Sequence, residues 1–411
     1  VRDIVIIGAG QAGLGLSYCL TERGVDHVIL ERGEIGRAWR EDRWDSFCLV
    51  TPNWSITLPG AEYAGDDPNG FMDRDDFVEH LEAWAKSFNA PVRTGVDVSH
   101  VDEIDGGFRL ETSDGQMEAR RVVLACATHQ HPRMPDFATA VVRRIQQIHV
   151  AEYRSPERLA PGAILVVGSG QSGCQIAEEL NRAGRKTVLA VGDTGRLPRH
   201  YRGRDCIDWQ KDMGLLDRTP DMLDDPAHRF RGDPHLSGAR GGHTLSLHTL
   251  VADGVQLIGR IAGADGASLT LEDSLSASMA RADAFAATFF RSVDTYITAN
   301  GVSAPEPAPS DFDGEPVPGA AQPIGPSRLD LSSEGIACII WATGFRYDFS
   351  WVAPLPLDDF GYPKTDALGA TTVPGLYCMG LNWAPKRKSG IIYGVAEDAA
   401  RLATLLAEGR P

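Results

Sequence analysis

The sequence predicts an α/β protein of two doubly wound, mostly parallel-sheet domains, the second inserted into the first. Two observations carry this. A short apolar run followed by glycines and a helical pattern occurs twice, as "IVIIGAGQAG" at 4–13 and "ILVVGSGQSG" at 164–173. Apolar strand patterns then return late in the chain, in "GIACIIWATGF" at 335–345 and "GLYCMGL" at 375–381, as expected if the first sheet is finished after the second is built.

In the first unit "IVIIG" reads as a buried parallel strand, because it is fully apolar and β-branched. Gly8, Gly10 and Gly13 follow in GxGxxG spacing. Ala12, Leu16, Cys19 and Leu20 then recur at helical period until Gly24, and "HVILE" resumes a strand that ends in Glu31. One glycine makes the tight turn, the next admits a pyrophosphate to the backbone, and the third lets helix and strand pack closely. The helix N-terminus offers free N–H groups to phosphates. An acid at the far strand tip accepts the hydroxyls of an adenosine ribose. Strand, turn, helix and acid are all in register here, so the unit is a Rossmann-like dinucleotide site, most simply for FAD.

The second unit has Gly168, Gly170 and Gly173, a helix through Ile176, Ala177 and Leu180, and the strand "KTVLAV". The step from Gly8 to Glu31 lands on Val191 when taken from Gly168, so no carboxylate stands there. Arg196 and Arg199 follow shortly after. A missing acid with nearby arginines favours a ribose carrying a 2′-phosphate, hence NADPH over NADH. The alternative is that these arginines are surface charge. Two such sites in one chain imply hydride transfer from nicotinamide to flavin.

The rest of the chain places these units. Residues 92–125 read as a β-meander inserted before the last strand of the first domain. The expected division is 1–154 for the first part of the FAD domain, 155–343 for the NADPH domain and 344–411 for the second part of the FAD domain. Residues 192–260 have poor periodicity and read as a loop-rich insertion. A helix is expected over 271–301, with Phe285, Phe289, Val293 and Tyr296 as its apolar stripe. Residues 303–326 are proline-rich and read as a surface connection.

Composition bounds the partners. At 411 residues the chain is long enough for two or three domains with real cores. A net charge of −16 argues against nucleic-acid binding, which needs a basic face. No apolar run approaches a membrane span, and residues 1–8 read as strand rather than leader. The seven cysteines are scattered with no CxxC, which fits a reducing cytoplasm and weighs against a dithiol reductase. No metal-ligand spacing stands out among the histidines; His129 and His131 flank a turn and read more simply as a polar loop than as acid–base groups. A homodimer is expected only because it is the commonest closed assembly.

Taken together the motifs resemble the flavin-containing monooxygenase-like family (class B flavoprotein monooxygenases) over nearly the whole chain. "GRAWREDRWDSFCLVTPNWSITLPG" at 36–60 looks like the stretch running from the flavin phosphates to the isoalloxazine ring, which implies that Trp39 and Arg40 line the FAD with Trp44 nearby. "IHVAEYR" keeps His149 and Tyr153 of the family's FxGxxxHxxxY fingerprint, while Arg143 and Ile145 stand in place of its Phe and Gly. "WATGF" supplies Ala342, Thr343 and Gly344, the motif joining the two domains. "KSGIIYGV" at 388–395 resembles the segment facing the flavin pyrimidine edge, through Gly390, Ile391 and Ile392. The resemblance further implies cofactor contacts at Gln11, Ala12, Arg32, Val98, Ala127, Gln171, Ser172 and Gly380. Asn53 falls near the family's active-site Asn, and is otherwise an ordinary turn residue after Pro52. Trp54 and Trp383 are candidate walls of the substrate pocket, or core aromatics.

The family's activity implies an NADPH-dependent FAD monooxygenase. It would insert one oxygen from O2 into a small organic substrate through a flavin C4a-(hydro)peroxide, by N- or S-oxygenation or in the Baeyer–Villiger manner. Two alternatives stay open at this stage: a flavoprotein reductase or dehydrogenase that passes electrons to a quinone or redox partner, and a flavin- and NADP-binding sensor with little turnover.

Overall fold

The computed structural model describes residues 1–127, 129–316 and 325–408; Thr128 in the loop after the first sheet, and part of the proline-rich connection, lie outside the described residues. Two sheets with parallel centres organise the chain, as the repeated strand–glycine–helix pattern requires. The first has the strand order Val92–Arg93, Val28–Leu30, Arg2–Ile7, Gly115–Leu124, Gly107–Thr112, Val98–Ile104. Its parallel centre is fully buried, and the antiparallel part alternates buried and open positions along the outer strands.

Gly115–Leu124 belongs to both parts. Its first residues pair antiparallel with Gly107–Thr112. Its later residues lie parallel between Arg2–Ile7 and the late strand Leu376–Cys378, with Val122 opposite Leu376 and Leu124 opposite Cys378. The meander is therefore shorter than the sequence suggests. Val92–Arg93 lies parallel to Val28–Leu30 at the far edge of this sheet, not in the meander.

The second sheet is parallel throughout, in the order Gln146–His149, Ile336–Trp341, Ala163–Val167, Thr187–Ala190, Gln256–Ile258. Its edge strand Gln256–Ile258 lies within the stretch read as a looped insertion. The stretch before it is not loose either. Helices Cys206–Asp212 and Leu247–Ala252 form there, and Tyr201, Cys206, Trp209, Leu216 and Leu236 build a buried cluster with Phe289, Val293 and Ile297.

Those last three residues sit on helix Leu275–Asn300, whose buried face runs through Ala282, Ala286, Phe289, Val293 and Ile297. That is the 3–4 spacing of one helical face. Phe285 lies off this face and is 47% exposed, so it is not part of the stripe. Truncation separates the two: Phe289→Ala should cost about 3–5 kcal/mol, whereas Phe285→Ala should cost under about 1 kcal/mol. Thermal and urea unfolding of the two variants check this.

Candidate active site

Each glycine turn carries a φ only glycine takes readily: +110° at Gly8 and +104° at Gly168. The third glycine of each motif is demanded by contact. A Cβ on Gly13 would stand 1.9 Å from the Gly8 carbonyl oxygen, and one on Gly173 would stand 1.8 Å from that of Gly168. The middle glycines are different, because a Cβ on Gly10 or Gly170 would meet nothing within 4 Å. Their outer side is open.

Above that opening the helix N-termini are bare. Gln11–Thr21 and Gln171–Arg182 begin at Gly10 and Gly170 with no side-chain cap. Three other helices are capped, Asp73 accepting from the Asp76 N–H, Asp205 from Ile207 and Ser246 from Thr249, while Leu275–Asn300 and Val395–Ala407 also begin without a side-chain cap. What sets the two glycine turns apart is the open backbone beside the bare N-terminus. Bare N–H groups beside an open backbone are what an anionic pyrophosphate needs, and on this ground both sites fit a dinucleotide.

The two strand tips differ in charge. Backbone N–H of Gly8 donates to Leu30 and that of Gly168 donates to Ala190, so Glu31 and Val191 occupy equivalent places. The buried Glu31 carboxylate accepts from the Ala9 N–H at 2.8 Å and the Gly33 N–H at 3.0 Å. Those bonds hold it beside the first turn with lone pairs remaining. In the second unit the Ser169 hydroxyl makes the corresponding closure, accepting from the Gly192 N–H at 3.0 Å. A neutral hydroxyl and Val191 thus replace the carboxylate.

Around the first turn, Trp39 Nε1 donates to Gln11 Oε1 at 3.0 Å, and Phe77 packs edge-on against the Trp39 ring. Arg40 turns away to pair with Glu82, both about half exposed. The cation over the Trp39 ring is Arg43, 5.5 Å from the centroid. The sequence signal for it was the four-residue step from Trp39, masked by the helix ending at Glu41. Trp44 is buried edge-on against Phe47, a core contact. Arg32 is exposed beside the turn.

Val98 opens the meander opposite Thr112. The residue that meets Glu31 is Val96, whose N–H donates to the Glu31 carbonyl at 2.9 Å. Ala125 closes against Gly8, and Ala127 follows with φ +55°. His129 has an exposed edge, yet the protein around it and the charge of Arg43 push its pKa down to about 4. Ala12 faces Gly380, where a Cβ would stand 2.5 Å from the alanine methyl. Gly390, Ile391 and Ile392 lie in two tight turns that lead into helix Val395–Ala407, which packs on Gln11–Thr21 through Gly15 and Val395.

Around the second turn, Ala342 closes on Gly168 and Gly173. Thr343 donates through its hydroxyl to the Arg133 carbonyl, and the Arg133 N–H donates to Gly344 at 3.0 Å. His149 Nδ1 accepts from the Ala151 N–H, so its Nε2–H donates to the Gly344 carbonyl, at 2.9 Å. These bonds tie the second sheet to the segment leaving the first. Ser172 is half-buried in the first turn of the helix. Gln171 Nε2 donates to the Pro234 carbonyl at 2.9 Å, and Gln175 Nε2 to that of Leu236 at 2.7 Å.

Between those two carbonyls His235 is fully buried. Its Nε2 bonds the Ser169 carbonyl at 2.6 Å, and its Nδ1 has no partner. No motif or spacing in the sequence marks this strap. Burial pushes the His235 pKa down to about 4. The unfolded chain therefore binds a proton from about pH 6.5 downward that the folded chain refuses until about pH 4. Stability from this residue is complete above pH 6.5 and is lost as the pH falls, by up to about 3 kcal/mol. Urea unfolding at pH 7.5 and 5 should show a smaller acid loss for His235→Gln than for the unmodified protein.

Arg196 and Arg199 do not reach a coenzyme as free charges. Both are 1% exposed. Arg196 is held by Asp283 at 2.9 Å and Glu315 at 2.6 Å. Arg199 is held by Asp205 at 2.5 Å, donates to the Val50 carbonyl, and covers the Phe71 ring. Asn53 is likewise occupied. Its amide donates to the Asp67 carbonyl at 3.0 Å and accepts from the Met72 N–H at 2.7 Å, tying down that loop.

Trp54 sits where three segments meet. Lys211 lies 4.3 Å from its ring centroid and Tyr393 packs edge-on at 5.7 Å, while its Nε1 is buried without a partner. Trp383 is half-buried with φ +59°. Among the described residues no group of His, Cys, Asp and Glu is placed to hold a metal ion, and no helix is long and apolar enough to cross a membrane.

Comparison with known proteins gives this geometry its family. A model described as pyridine nucleotide-disulphide oxidoreductase matches residues 5–203. An uncharacterized CzcO-like oxidoreductase of Geobacillus kaustophilus is 30% identical over 405 residues, 98% of this chain and 97% of the relative. The rice indole-3-pyruvate monooxygenase YUCCA1 is 33% identical over 250 residues, 58% of this chain and 61% of its own length. Among solved structures, a flavin-containing monooxygenase from Stenotrophomonas maltophilia superposes with a TM-score of 0.65 at 20% identity, covering 99% of this chain and 98% of its own. The chain belongs to the CzcO-like oxidoreductases and shares the fold of the flavin-containing monooxygenase structure, with its two dinucleotide-binding domains.

Proposed function

We propose that the protein is an NADPH-dependent FAD monooxygenase that transfers one oxygen atom from O2 to a small organic substrate, by N- or S-oxygenation or in the Baeyer–Villiger manner. The observation that carries the reading is the pair of bare, open glycine turns with different strand tips. Glu31 suits the ribose hydroxyls of FAD, and the uncharged Val191–Ser169 closure suits a phosphorylated ribose.

Residues 8–13, Glu31, Trp39, Gly380 and the 390–392 turns would hold the FAD. Residues 168–173 would hold the nicotinamide coenzyme. Bound FAD supplies hydride acceptance and the activation of O2. The chain's part is orientation and exclusion of water. Trp54, with Tyr393 edge-on and Lys211 over its ring, would wall the substrate space, and the Thr343–Arg133 and His149–Gly344 bonds tie the second sheet to the segment leaving the first. The names of the relatives support oxygen transfer. The seven unpaired cysteines, none in a CxxC, weigh against passage of electrons to a disulfide.

The test is stoichiometry. The FAD-loaded protein is reduced by NADPH and mixed with oxygenated buffer, with and without amines, sulfides and ketones, while NADPH oxidation and hydrogen peroxide are measured. One substrate class that suppresses peroxide and yields oxygenated product supports the reading. Fast NADPH oxidation that is unaffected by any substrate, but accelerated by a quinone, would replace it with the reductase. Negligible flavin reduction would leave the sensor.

A further inference from the structure

Arg196 and Arg199, the cations expected for the ribose phosphate, are buried in ion pairs. Two other guanidinium groups stand at the carboxyl edge of the second sheet. Val191, at the tip of strand Thr187–Ala190, donates to the Ile258 carbonyl, and Arg260 follows two residues later. Arg281 comes from the first turns of helix Leu275–Asn300. Both side chains are about half exposed, and both bind Asp193, two residues beyond Val191. Arg260 does so at 3.0 Å. Ser278 Oγ donates to the same carboxylate at 3.1 Å. Glu272 lies 3.9 Å from Arg260 Nε.

We infer that Arg260 and Arg281 are the residues that recognise the 2′-phosphate of the coenzyme, with Asp193 as their resident counter-ion and as a brake on affinity. The inference rests on the NADPH reading above. Ligands at open parallel sheets lie outside the carboxyl ends of the strands, which is where this cluster sits. Guanidinium forks match phosphate oxygens in pairs. In the first unit Glu31 stands at the strand tip, where its charge would repel a phosphate; in the second the tip is the uncharged Val191, and the two exposed arginines near it are balanced by Asp193 and, more loosely at 3.9 Å from Arg260, by Glu272. A phosphate entering here exchanges one anion for a more highly charged one, and needs no buried ion pair to open.

The experiment uses the FAD-loaded full chain and no turnover. Adenosine 2′,5′-bisphosphate and adenosine 5′-monophosphate are titrated calorimetrically into the unmodified protein and into Arg260→Ala, Arg281→Ala, Arg281→Lys and Asp193→Asn. The unmodified protein should prefer the bisphosphate. Each alanine variant should weaken the bisphosphate by roughly tenfold, or about 1.4 kcal/mol, and leave the monophosphate within about twofold. Arg281→Lys should recover part of the loss, and Asp193→Asn should tighten the bisphosphate. Equal affinity of the two probes for the unmodified protein overturns the inference, as does an equal loss of both in the alanine variants. Should a variant fail to fold, the unmodified protein still decides. Bisphosphate binding must then fall more steeply with salt than monophosphate binding, and parallel slopes overturn the inference. None of these results depends on oxygen transfer, so the monooxygenase reading stands or falls separately.

Discussion

Gly13→Ala should purify without bound flavin, and Gly173→Ala should retain flavin that NADPH no longer reduces. In each case the added methyl lies under 2 Å from a backbone oxygen of the turn, so the turn itself has to move. We expect at least about a hundredfold loss of affinity for the dinucleotide concerned, about 2.7 kcal/mol. Gly10→Ala and Gly170→Ala are the companions. Their methyls meet no protein atom, so they should keep the melting temperature of the apoprotein and still weaken FAD and NADPH respectively. Flavin absorbance of the purified proteins and anaerobic NADPH titration read both pairs. If NADPH reduced Gly173→Ala at the unmodified rate and affinity, the second turn would not be the coenzyme site.

The second large effect is on stability. Arg199→Met should destabilise the fold by about 3–5 kcal/mol, since it leaves the buried Asp205 without its cation. It also removes the bond to Val50 and the cover over Phe71, which join the stretch after the second sheet's central strands to the loop of the first unit. Coenzyme affinity of whatever folded protein remains should stay within about twofold. The double variant Arg199→Met/Asp205→Leu should recover part of the loss, because the stranded charge is gone. Thermal unfolding and NADPH titration of the same samples separate this from a role in coenzyme binding, which would reverse the pattern.

Much of the site was legible in the sequence for a specific reason. A glycine required by a 1.9 Å backbone approach is fixed by local geometry, so the spacing of Gly8, Gly10 and Gly13 reports a turn whatever surrounds it. The same holds for Glu31 and Val191, which are placed by counting along a strand. Charge partners are another matter. Arg196 looks free until helix Leu275–Asn300 brings Asp283 beside it, and Arg40 looks inward until Glu82 draws it out. Val96 and Val98 sit on opposite sides of the point where the backbone leaves Glu31 for the meander, a two-residue distinction that hydropathy does not carry. Phe285 and Phe289 differ by about one helical turn, and only the packed partners decide which is core. The strand Gln256–Ile258 was hidden because three residues are too few to set a period.

The strand Leu376–Cys378 has a consequence for how the protein is made. As the chain leaves the ribosome, Arg2–Ile7, its glycine turn and Gly115–Leu124 emerge before Leu376–Cys378, and until that strand arrives the Val122–Leu124 end of Gly115–Leu124 has one edge unpaired. The whole second sheet is synthesised in between. The nascent chain must therefore carry a short, apolar, open strand edge at Val122–Leu124 while the second sheet is made, the kind of edge that aggregates. Helix Val395–Ala407, which covers Gln11–Thr21, comes later still. The glycine turn at 8–13 is thus completed by segments far along the chain, so a truncation before Leu376 should strip it of its late strand and its covering helix.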